Sequence, residues 1–300
     1  MVDERYKLPI NSAEMDRLDV QHRLWSLLIG GLYPPTLNTR VNELLSAGGA
    51  TKSILDVGCG SGIWAIEMAR RFSHAEVVGF DLNPQRYKDA PTNFSFIHGD
   101  LMGGLPIELH EKFDVVHCRC VAQHVPDPHA LMRILARCLK PDGLLLLADG
   151  DWVAFDSQKR LLDPVKWNPD ITIDEQVEND LGHSWYAGWL HLFGAITRSP
   201  NYEPIDVLLK VDGLFKDVTY KKYYTPVNWS GEGLEHGEEV GRIMDRNMRE
   251  FFEGGAAVVL AKGMPPATLE VWRKGLMKEM NQHHYNVWHW AYAVKSLYIQ

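Results

Sequence analysis

The chain has 300 residues, 45% of them hydrophobic and 23% charged, with a formal net charge of −8. This length and apolar content suit one large α/β domain with elaborations. The negative charge offers no general attraction for nucleic-acid phosphates, and no basic run extends beyond pairs such as Lys221–Lys222, so a nucleic-acid partner is disfavoured.

The cysteines and the apolar runs indicate a reduced, soluble, cytoplasmic protein. Cys59, Cys118, Cys120 and Cys138 fall in predicted strands, turns or helices, and no two C-x-x-C pairs occur at zinc spacing. The first residues lack an apolar signal core, and no apolar run approaches the roughly 20 residues of a membrane span. We therefore expect no metal site and no membrane segment.

The first predicted element is a helix over residues 13–32. Its apolar residues recur at helical spacing, Ser12 is a suitable N-cap, and the pairs Gly30–Gly31 and Pro34–Pro35 end it. Two roles stay open for this helix, either a cap over a ligand or an extra helix packed on the sheet. We assign residues 1–50 to a helical N-terminal cap.

Residues 53–69 predict a strand, a tight turn and a helix. An apolar run contains Asp56 and is followed by Gly58, Gly60 and Gly62 at every second position. Glycine allows positive φ in such a turn and lets a ligand approach the backbone, while the helix N-terminus directs N–H groups at that ligand. A dinucleotide site has the spacing G-x-G-x-x-G, so the early third glycine disfavours an NAD-dependent oxidoreductase.

Two further apolar runs end in acids. One run, at residues 76–81, ends at Asp81, and another, at residues 94–100, ends at Asp100, which is followed by Leu101. Asp81 lies where a ribose-binding acid belongs in a nucleotide-binding sheet, because a carboxylate can accept both ribose hydroxyl protons. These acids argue against a glycine-rich turn with only a structural role.

Strands and helices continue to alternate up to residue 148. Residues 112–120 predict a fourth strand, residues 127–140 a helix, and residues 144–148 a continuous apolar strand. The pattern predicts a Rossmann-like, doubly wound α/β sheet that is mostly parallel. Ligands of such sheets bind beyond the carboxyl ends of the strands, where these residues fall: Asp56, Asp81, Asp100 and residues 117–120.

The pattern is looser after residue 150. Residues 151–170 look like loop, and residues 173–196 like a helix with an aromatic stripe that forms either core or a lid over an apolar substrate. We place lid-like insertions at about 151–200 and 231–282 within a domain over 51–300. The remaining predicted elements are helices over 204–214, 238–252 and 267–282, a strand over 218–227, and a closing antiparallel strand over 285–294.

The motifs together resemble the class I S-adenosylmethionine (SAM)-dependent methyltransferases. The matching segments lie at residues 54–68, 77–84, 96–101, 113–119 and 139–147. A narrower resemblance, over roughly residues 6–150, is to the fungal methyltransferases related to the regulator LaeA. It depends on Tyr6-x-Leu8-Pro9, Asp16-Arg17-Leu18-Asp19-x-Gln21-His22, Gly62-Ile63-Trp64-Ala65-Ile66 and Val116-His117-x-Arg119.

The resemblance implies SAM as cofactor and assigns residues to it. Asp56, Gly58, Gly60 and Gly62 would hold its methionine portion, and Asp81, next to Leu82, its ribose. The adenine would contact Asp100 and Leu101, while His117 and Cys118 would lie near the sulfonium.

The favoured function is methylation of a small-molecule acceptor of secondary metabolism. Oxygen is the first choice of methyl acceptor, with nitrogen and sulfur open, because His117 and His124 lie where the acceptor is expected. The imidazole of His124 is suited to accept a hydroxyl proton, and His117 is the rival candidate for this catalytic role. His124 could instead pack against the following helix. A LaeA-like regulator that binds partners is the alternative. Expected acceptor contacts are Tyr6, Trp152, Trp185 and Trp189.

Overall fold

The computed structural model describes residues 12–83, 89–172, 174–175 and 182–296. These residues contain a seven-stranded sheet with the order β3-β2-β1-β4-β5-β7-β6. The strands are β1 (Ser53–Val57), β2 (Glu76–Asp81), β3 (Phe94–His98), β4 (Phe113–Arg119), β5 (Leu139–Asp156), β6 (Phe215–Val227) and β7 (His284–Lys295).

The sheet is mostly parallel, with one antiparallel strand, which confirms the predicted Rossmann-like fold class. Strand β1 pairs in parallel with β2 and β4, and the parallel pairing continues to β3 on one side and β5 on the other. All five residues of β1 are buried, as expected of a parallel strand that is covered on both faces.

The described helices flank and connect these strands. They are α1 (Ser12–Ile29), α2 (Asn38–Leu44), α3 (Ile63–Arg71), α4 (Pro128–Cys138), α5 (Trp185–Thr197), α6 (Ile205–Leu208), α7 (Gly237–Ala261) and α8 (Pro266–Glu279). None of these helices has the length and apolar character needed to cross a bilayer.

Several predicted boundaries after residue 150 were wrong. Residues 151–156 were expected to be loop, yet β5 continues to Asp156, because the chain turns back and pairs with it. The N–H of Leu162 donates to the Ala154 carbonyl (2.9 Å), and the N–H of Asp156 donates to the Arg160 carbonyl (3.0 Å).

The helices of this region also differ from expectation. In the range 173–196, predicted as one helix, residues 174–175 are helical, residues 182–184 are not, and α5 begins at Trp185. Residues 173 and 176–181 lie outside the described residues. The helix predicted over 204–214 is the short α6 followed by a 3-10 turn at Val211–Gly213, where Asp212 has a left-handed φ of 52°. That backbone conformation cannot continue a right-handed helix.

The chain divides into two compact units. The first unit comprises the described residues within Met1–Leu24, Asp151–Arg198 and Tyr223–Trp288, and the second those within Trp25–Gly150, Ser199–Lys222 and His289–Gln300. In the second unit, apolar residues of β1, β4, β5 and α4 form a buried core. The predicted division into a cap over 1–50 and a domain over 51–300 stays a prediction.

A buried ion pair within α1 is hydrogen-bonded to α7 in the first unit. The guanidinium of Arg17 donates to both carboxyl oxygens of Glu14 (2.8 and 2.6 Å) and to the side-chain oxygen of Asn247 (3.2 Å). Arg17 is 6% exposed and Glu14 is 5% exposed. An ion pair between α1 and α7, Arg23 with Glu239, lies at the surface.

A carboxylate from α8 caps the N-terminus of α5 in the same unit. Glu279 accepts from the Ser184 hydroxyl (2.7 Å) and from the backbone N–H groups of Trp185 (2.9 Å) and Tyr186 (3.0 Å). The hydroxyl of Ser184 in turn accepts from the N–H of Ala187 (3.0 Å). A negative charge at this end of a helix is stabilised by the helix dipole.

Candidate functional site

The turn between β1 and α3 has three glycines with left-handed backbone. Gly58, Gly60 and Gly62 have φ values of 68°, 53° and 73°. A Cβ on Gly58 would lie 2.3 Å from a methyl carbon of Val121. The predicted strand, tight turn and helix are therefore all present. The glycines have no side chains that could cover the backbone of the turn.

Asp81 closes β2 and holds this turn. One carboxyl oxygen accepts from the N–H of Gly60 (2.9 Å), and the other accepts from the N–H of Asn83 (2.9 Å). Burial raises the pKa of the Asp81 carboxyl above its ordinary value, although these backbone donors oppose that rise. Since an ionised carboxylate has about four acceptor positions, these two bonds leave room for donors of a ligand.

The end of β3 has a different arrangement. A carboxyl oxygen of Asp100 accepts from the N–H of Met102 (2.9 Å) and so caps the 3-10 turn Leu101–Gly103. Leu101 is 9% exposed and belongs to the core of the second unit. Asp100 thus fixes the backbone that follows it, and it is half-buried.

Asp56 and His117 form a buried pair on neighbouring strands. The register of β1 and β4 places the two residues directly beside each other. His117 Nδ1 lies 2.7 Å from a carboxyl oxygen of Asp56, and the imidazole stacks on Trp64 with ring centroids 3.9 Å apart. Burial lowers the pKa of His117, although Asp56 opposes that change. A neutral imidazole that donates its Nδ1–H to Asp56 fits this geometry.

Contacts from outside the sheet hold the pair of Asp56 and His117 in place. The indole N–H of Trp64 donates to the carbonyl of Leu32 (2.9 Å), which fixes the ring that covers His117. The neighbouring thiol of Cys118 is fully buried, and this burial raises its pKa well above the ordinary value. Cys118 is therefore a neutral thiol rather than a reactive thiolate.

The loop after β4 brings His124 close to the sheet. The N–H of Cys120 donates to the carbonyl of Ala148 (2.9 Å) at the neighbouring strand, and the N–H of His124 donates to the carbonyl of Val121 (2.9 Å). His124 is half-buried. The loop therefore leaves the carboxyl end of β4 in a tight turn, on the edge of the sheet where Asp56 and Asp81 also lie.

Sequence reasoning missed two residues of this edge, Gln123 and Asp149. Asp149 is fully buried, and its carboxyl oxygens accept from the N–H groups of Gln123 (3.2 Å) and Gly150 (2.9 Å). The side-chain oxygen of Gln123 is buried, and no donor among the described residues bonds to it. The signal was present for Asp149, an acid directly after the apolar run of residues 144–148.

The tryptophans predicted as acceptor contacts lie in the first unit. Trp189 is fully buried against Phe252, with ring centroids 4.4 Å apart, and Trp152 packs against Phe193 (5.7 Å). Trp185, which is half-buried, meets Trp272 edge-on (5.6 Å). These contacts make an aromatic core of the predicted stripe, and the roles of the three tryptophans toward an acceptor stay predictions. Tyr6 lies outside the described residues.

The described residues contain no group of three or more His, Cys, Asp or Glu side chains arranged to hold a metal ion. The polar groups of this edge are instead carboxyl, amide, imidazole and backbone N–H groups. Such groups bind a neutral or cationic organic ligand through hydrogen bonds.

Residues 33–187 match a family model described as "Methyltransferase domain". Among known proteins, the chain is 27% identical over 282 residues to "Secondary metabolism regulator laeA" of Coprinopsis cinerea, covering 91% of this chain and 65% of that protein. It is 33% identical over 148 residues to "Methyltransferase str2" of Strobilurus tenacellus, covering 49% of this chain and 50% of that protein. "Methyltransferase str3" of the same organism is 27% identical over 250 residues, with coverages of 82% and 78%.

Proposed function

The chain belongs to the methyltransferase domain family, whose cofactor is SAM, and we propose that it methylates a hydroxyl group of a small-molecule acceptor in secondary metabolism. The relatives named as methyltransferases from Strobilurus tenacellus support this proposal. The chain spans only 65% of the length of laeA from Coprinopsis cinerea and 50% of that of str2. The names of these relatives therefore do not by themselves assign an activity to this chain.

The observation that supports this function most is the bond between Asp81 and the glycine turn. The Asp81 carboxyl holds the N–H of Gly60 and keeps acceptor capacity for two hydroxyl donors, as the ribose of adenosine requires. Residues 58–61 of the turn are half-buried, so part of their backbone remains accessible to a ligand. Val121 occupies the space beside Gly58, so no Cβ fits at that position. These donors and acceptors suit SAM, which has a ribose and no phosphate groups.

In this proposal the protein binds SAM, orients the acceptor and removes the proton of its hydroxyl group. SAM, when bound, supplies an activated methyl group that a lone pair of the acceptor can take directly. Asp81 and Leu82 hold the ribose, Asp100 and Leu101 the adenine, and the glycine turn the methionine portion. Alignment of the acceptor and exclusion of water account for most of the expected rate gain, so that no nucleophilic side chain is needed.

His117 and His124 have different roles in this scheme. His117 is bound to Asp56 and covered by Trp64, so we assign it to positioning Asp56 and the turn that follows. His124 is half-buried and lies in the loop after β4, so we assign to it the removal of the acceptor's hydroxyl proton. Cys118 lies next to His117 as a neutral, structural contact.

Calorimetry with SAM tests the cofactor assignment. Asp81→Ala is expected to weaken SAM binding by about 2 kcal/mol, which is roughly 30-fold, because the lost contact is charge-assisted. The exposed Asp170→Ala serves as the matched control and should leave the affinity unchanged. Equal affinities of the wild type and Asp81→Ala would remove Asp81 from the site.

Labelled SAM tests the reaction and the base. We expect the purified protein to transfer label to a small molecule of a metabolite extract. His124→Asn should lower that turnover by roughly 100-fold at neutral pH with SAM affinity intact, and higher pH should restore it, because hydroxide then takes the proton. Turnover equal to the wild type at every pH would contradict the role of His124.

A second candidate function is regulation of secondary-metabolite genes. It is favoured by the 27% identity that extends over 91% of this chain to a protein named as such a regulator. A regulator that uses the fold only to bind partners would keep its effect on transcripts in the Asp81→Ala variant. An enzyme would lose label transfer and any transcript effect together.

A further inference from the structure

We propose that Gln123 binds a hydroxyl group of the methyl acceptor and that Asp149 positions Gln123 for this contact. The inference rests on the proposed methyl transfer and names the chemical class of its acceptor, a molecule with a neutral hydroxyl donor. Both residues lie in the second unit, at the carboxyl ends of β4 and of the run 144–148 in β5. Ligands of doubly wound sheets bind at this edge.

The backbone of Gln123 is held from both sides. Its N–H donates to the fully buried carboxyl of Asp149 (3.2 Å), and its carbonyl accepts from the N–H of Ser199 (3.0 Å). The hydroxyl of Ser199 donates further to the carbonyl of Pro126 (2.9 Å). The position of Gln123 is thus fixed by bonds that leave its side chain unused.

The side chain of Gln123 lacks the partner that its burial calls for. Gln123 is 6% exposed, and none of the described residues donates to its side-chain oxygen. Buried amide oxygens in native proteins are nearly always bonded. Asn93, in the same unit, shows what a structural amide looks like, since its NH₂ group donates to the carbonyls of Ala69, Phe72 and Ala75.

The chemistry of an amide oxygen selects the ligand group. A neutral acceptor suits a neutral O–H donor, whereas a buried ammonium would need a negative charge as its direct partner. An amide oxygen is also too weak a base to take the proton. Gln123 therefore orients the acceptor through a hydroxyl group, and proton removal belongs to another residue.

Fluorine NMR on the protein saturated with S-adenosylhomocysteine tests the subsite. The probes are 4-fluorophenol, which has the hydroxyl, and 4-fluorotoluene, which has the same shape without it. We expect the wild type to bind 4-fluorophenol about tenfold more tightly, the ratio typical of one hydrogen bond. Gln123→Met should reduce this preference to within about threefold, and Gln158→Met, at an exposed glutamine, should retain it.

Two further variants keep the test decisive. Gln123→Asn, which withdraws the amide by one methylene group, should lose the preference for 4-fluorophenol as Gln123→Met does. If Gln123→Met does not fold, Gln123→Asn takes its place. Asp149→Asn should weaken the preference while S-adenosylhomocysteine affinity stays unchanged, as expected of a positioning residue.

Different results would contradict the subsite, the hydroxyl assignment and the proposed function. A wild type that binds both probes equally, or a Gln123→Met variant that keeps the full preference, would overturn the subsite. Tighter binding of 4-fluoroaniline than of 4-fluorophenol would overturn the hydroxyl assignment. Failure of the wild type to bind SAM or S-adenosylhomocysteine, measured by calorimetry, would instead overturn the proposed function.

Discussion

The buried pair of Glu14 and Arg17 predicts that a single substitution lowers the stability of the protein and that a double substitution restores it. Arg17→Met removes the cation and leaves the carboxyl of Glu14 buried without its two guanidinium bonds, while Asn247 loses a donor. The double variant Glu14→Leu/Arg17→Met removes both charges and fills the same space with apolar atoms. Stability should fall in the first variant and recover in the second.

The magnitude follows from burial. Glu14 is 5% exposed, so water cannot replace the lost partner, and breaking such a pair costs about 3–5 kcal/mol of the free energy of unfolding. Replacing both members by apolar side chains is close to neutral or stabilising, because neither charge then needs to be desolvated. Arg23→Met breaks the surface pair with Glu239 between α1 and α7 and should cost about 0–1 kcal/mol.

Urea unfolding followed by tryptophan fluorescence measures these free energies, and the three variants are compared with the wild type in one buffer. The reasoning is refuted if Arg17→Met lies within about 1 kcal/mol of the wild type. It is equally refuted if the double variant is no more stable than Arg17→Met. A loss in Arg23→Met as large as that in Arg17→Met would show that burial does not set the cost.

Three other changes have defined outcomes. Gly58→Ala should weaken SAM binding and lower the free energy of unfolding more than Gly213→Ala, because both glycines have positive φ but only the Cβ at residue 58 would meet Val121, and equal losses would contradict this. Glu279→Gln should destabilise the protein by about 1–2 kcal/mol in urea unfolding, since it removes the charge at a helix N-terminus, and an unchanged midpoint would count against that cap. Burial lowers the pKa of His117, so the unfolded chain binds more protons than the folded one below about pH 6.5, and stability falls on acidification. His117→Asn should therefore lose less stability than the wild type between pH 7.5 and 5.5, and parallel pH curves would contradict the assignment.

The sequence allows the parallel half of the sheet to be predicted because each strand there has its own signal. The strand β1 is apolar apart from Ser53 and Asp56 and precedes the glycine turn, and β2 is apolar between Glu76 and Asp81. Buried strands between helices must be apolar on both faces, so the pattern does not depend on distant partners. The bond from Asp81 to Gly60 then follows from the adjacency of β1 and β2.

The rest of the site depends on distant partners that a single pattern cannot show. The pairing of Asp56 with His117 needs the register between β1 and β4, which are separated by more than fifty residues. The continuation of β5 to Asp156 needs the returning segment that ends at Leu162. The side-chain oxygen of Gln123, to which none of the described residues donates, can be recognised only when its neighbours in space are known.

The strand order has a consequence for the sequence of events during synthesis. The first five strands can pair as they leave the ribosome, but β7 lies between β5 and β6 and is made last. Until His284–Lys295 has emerged, β5 has one open edge and β6 lacks its neighbour in the sheet. Open edges of this kind pair with other chains. A stop codon before residue 284 should therefore yield a chain that aggregates, although it would contain the whole glycine turn and all three strand-end acids.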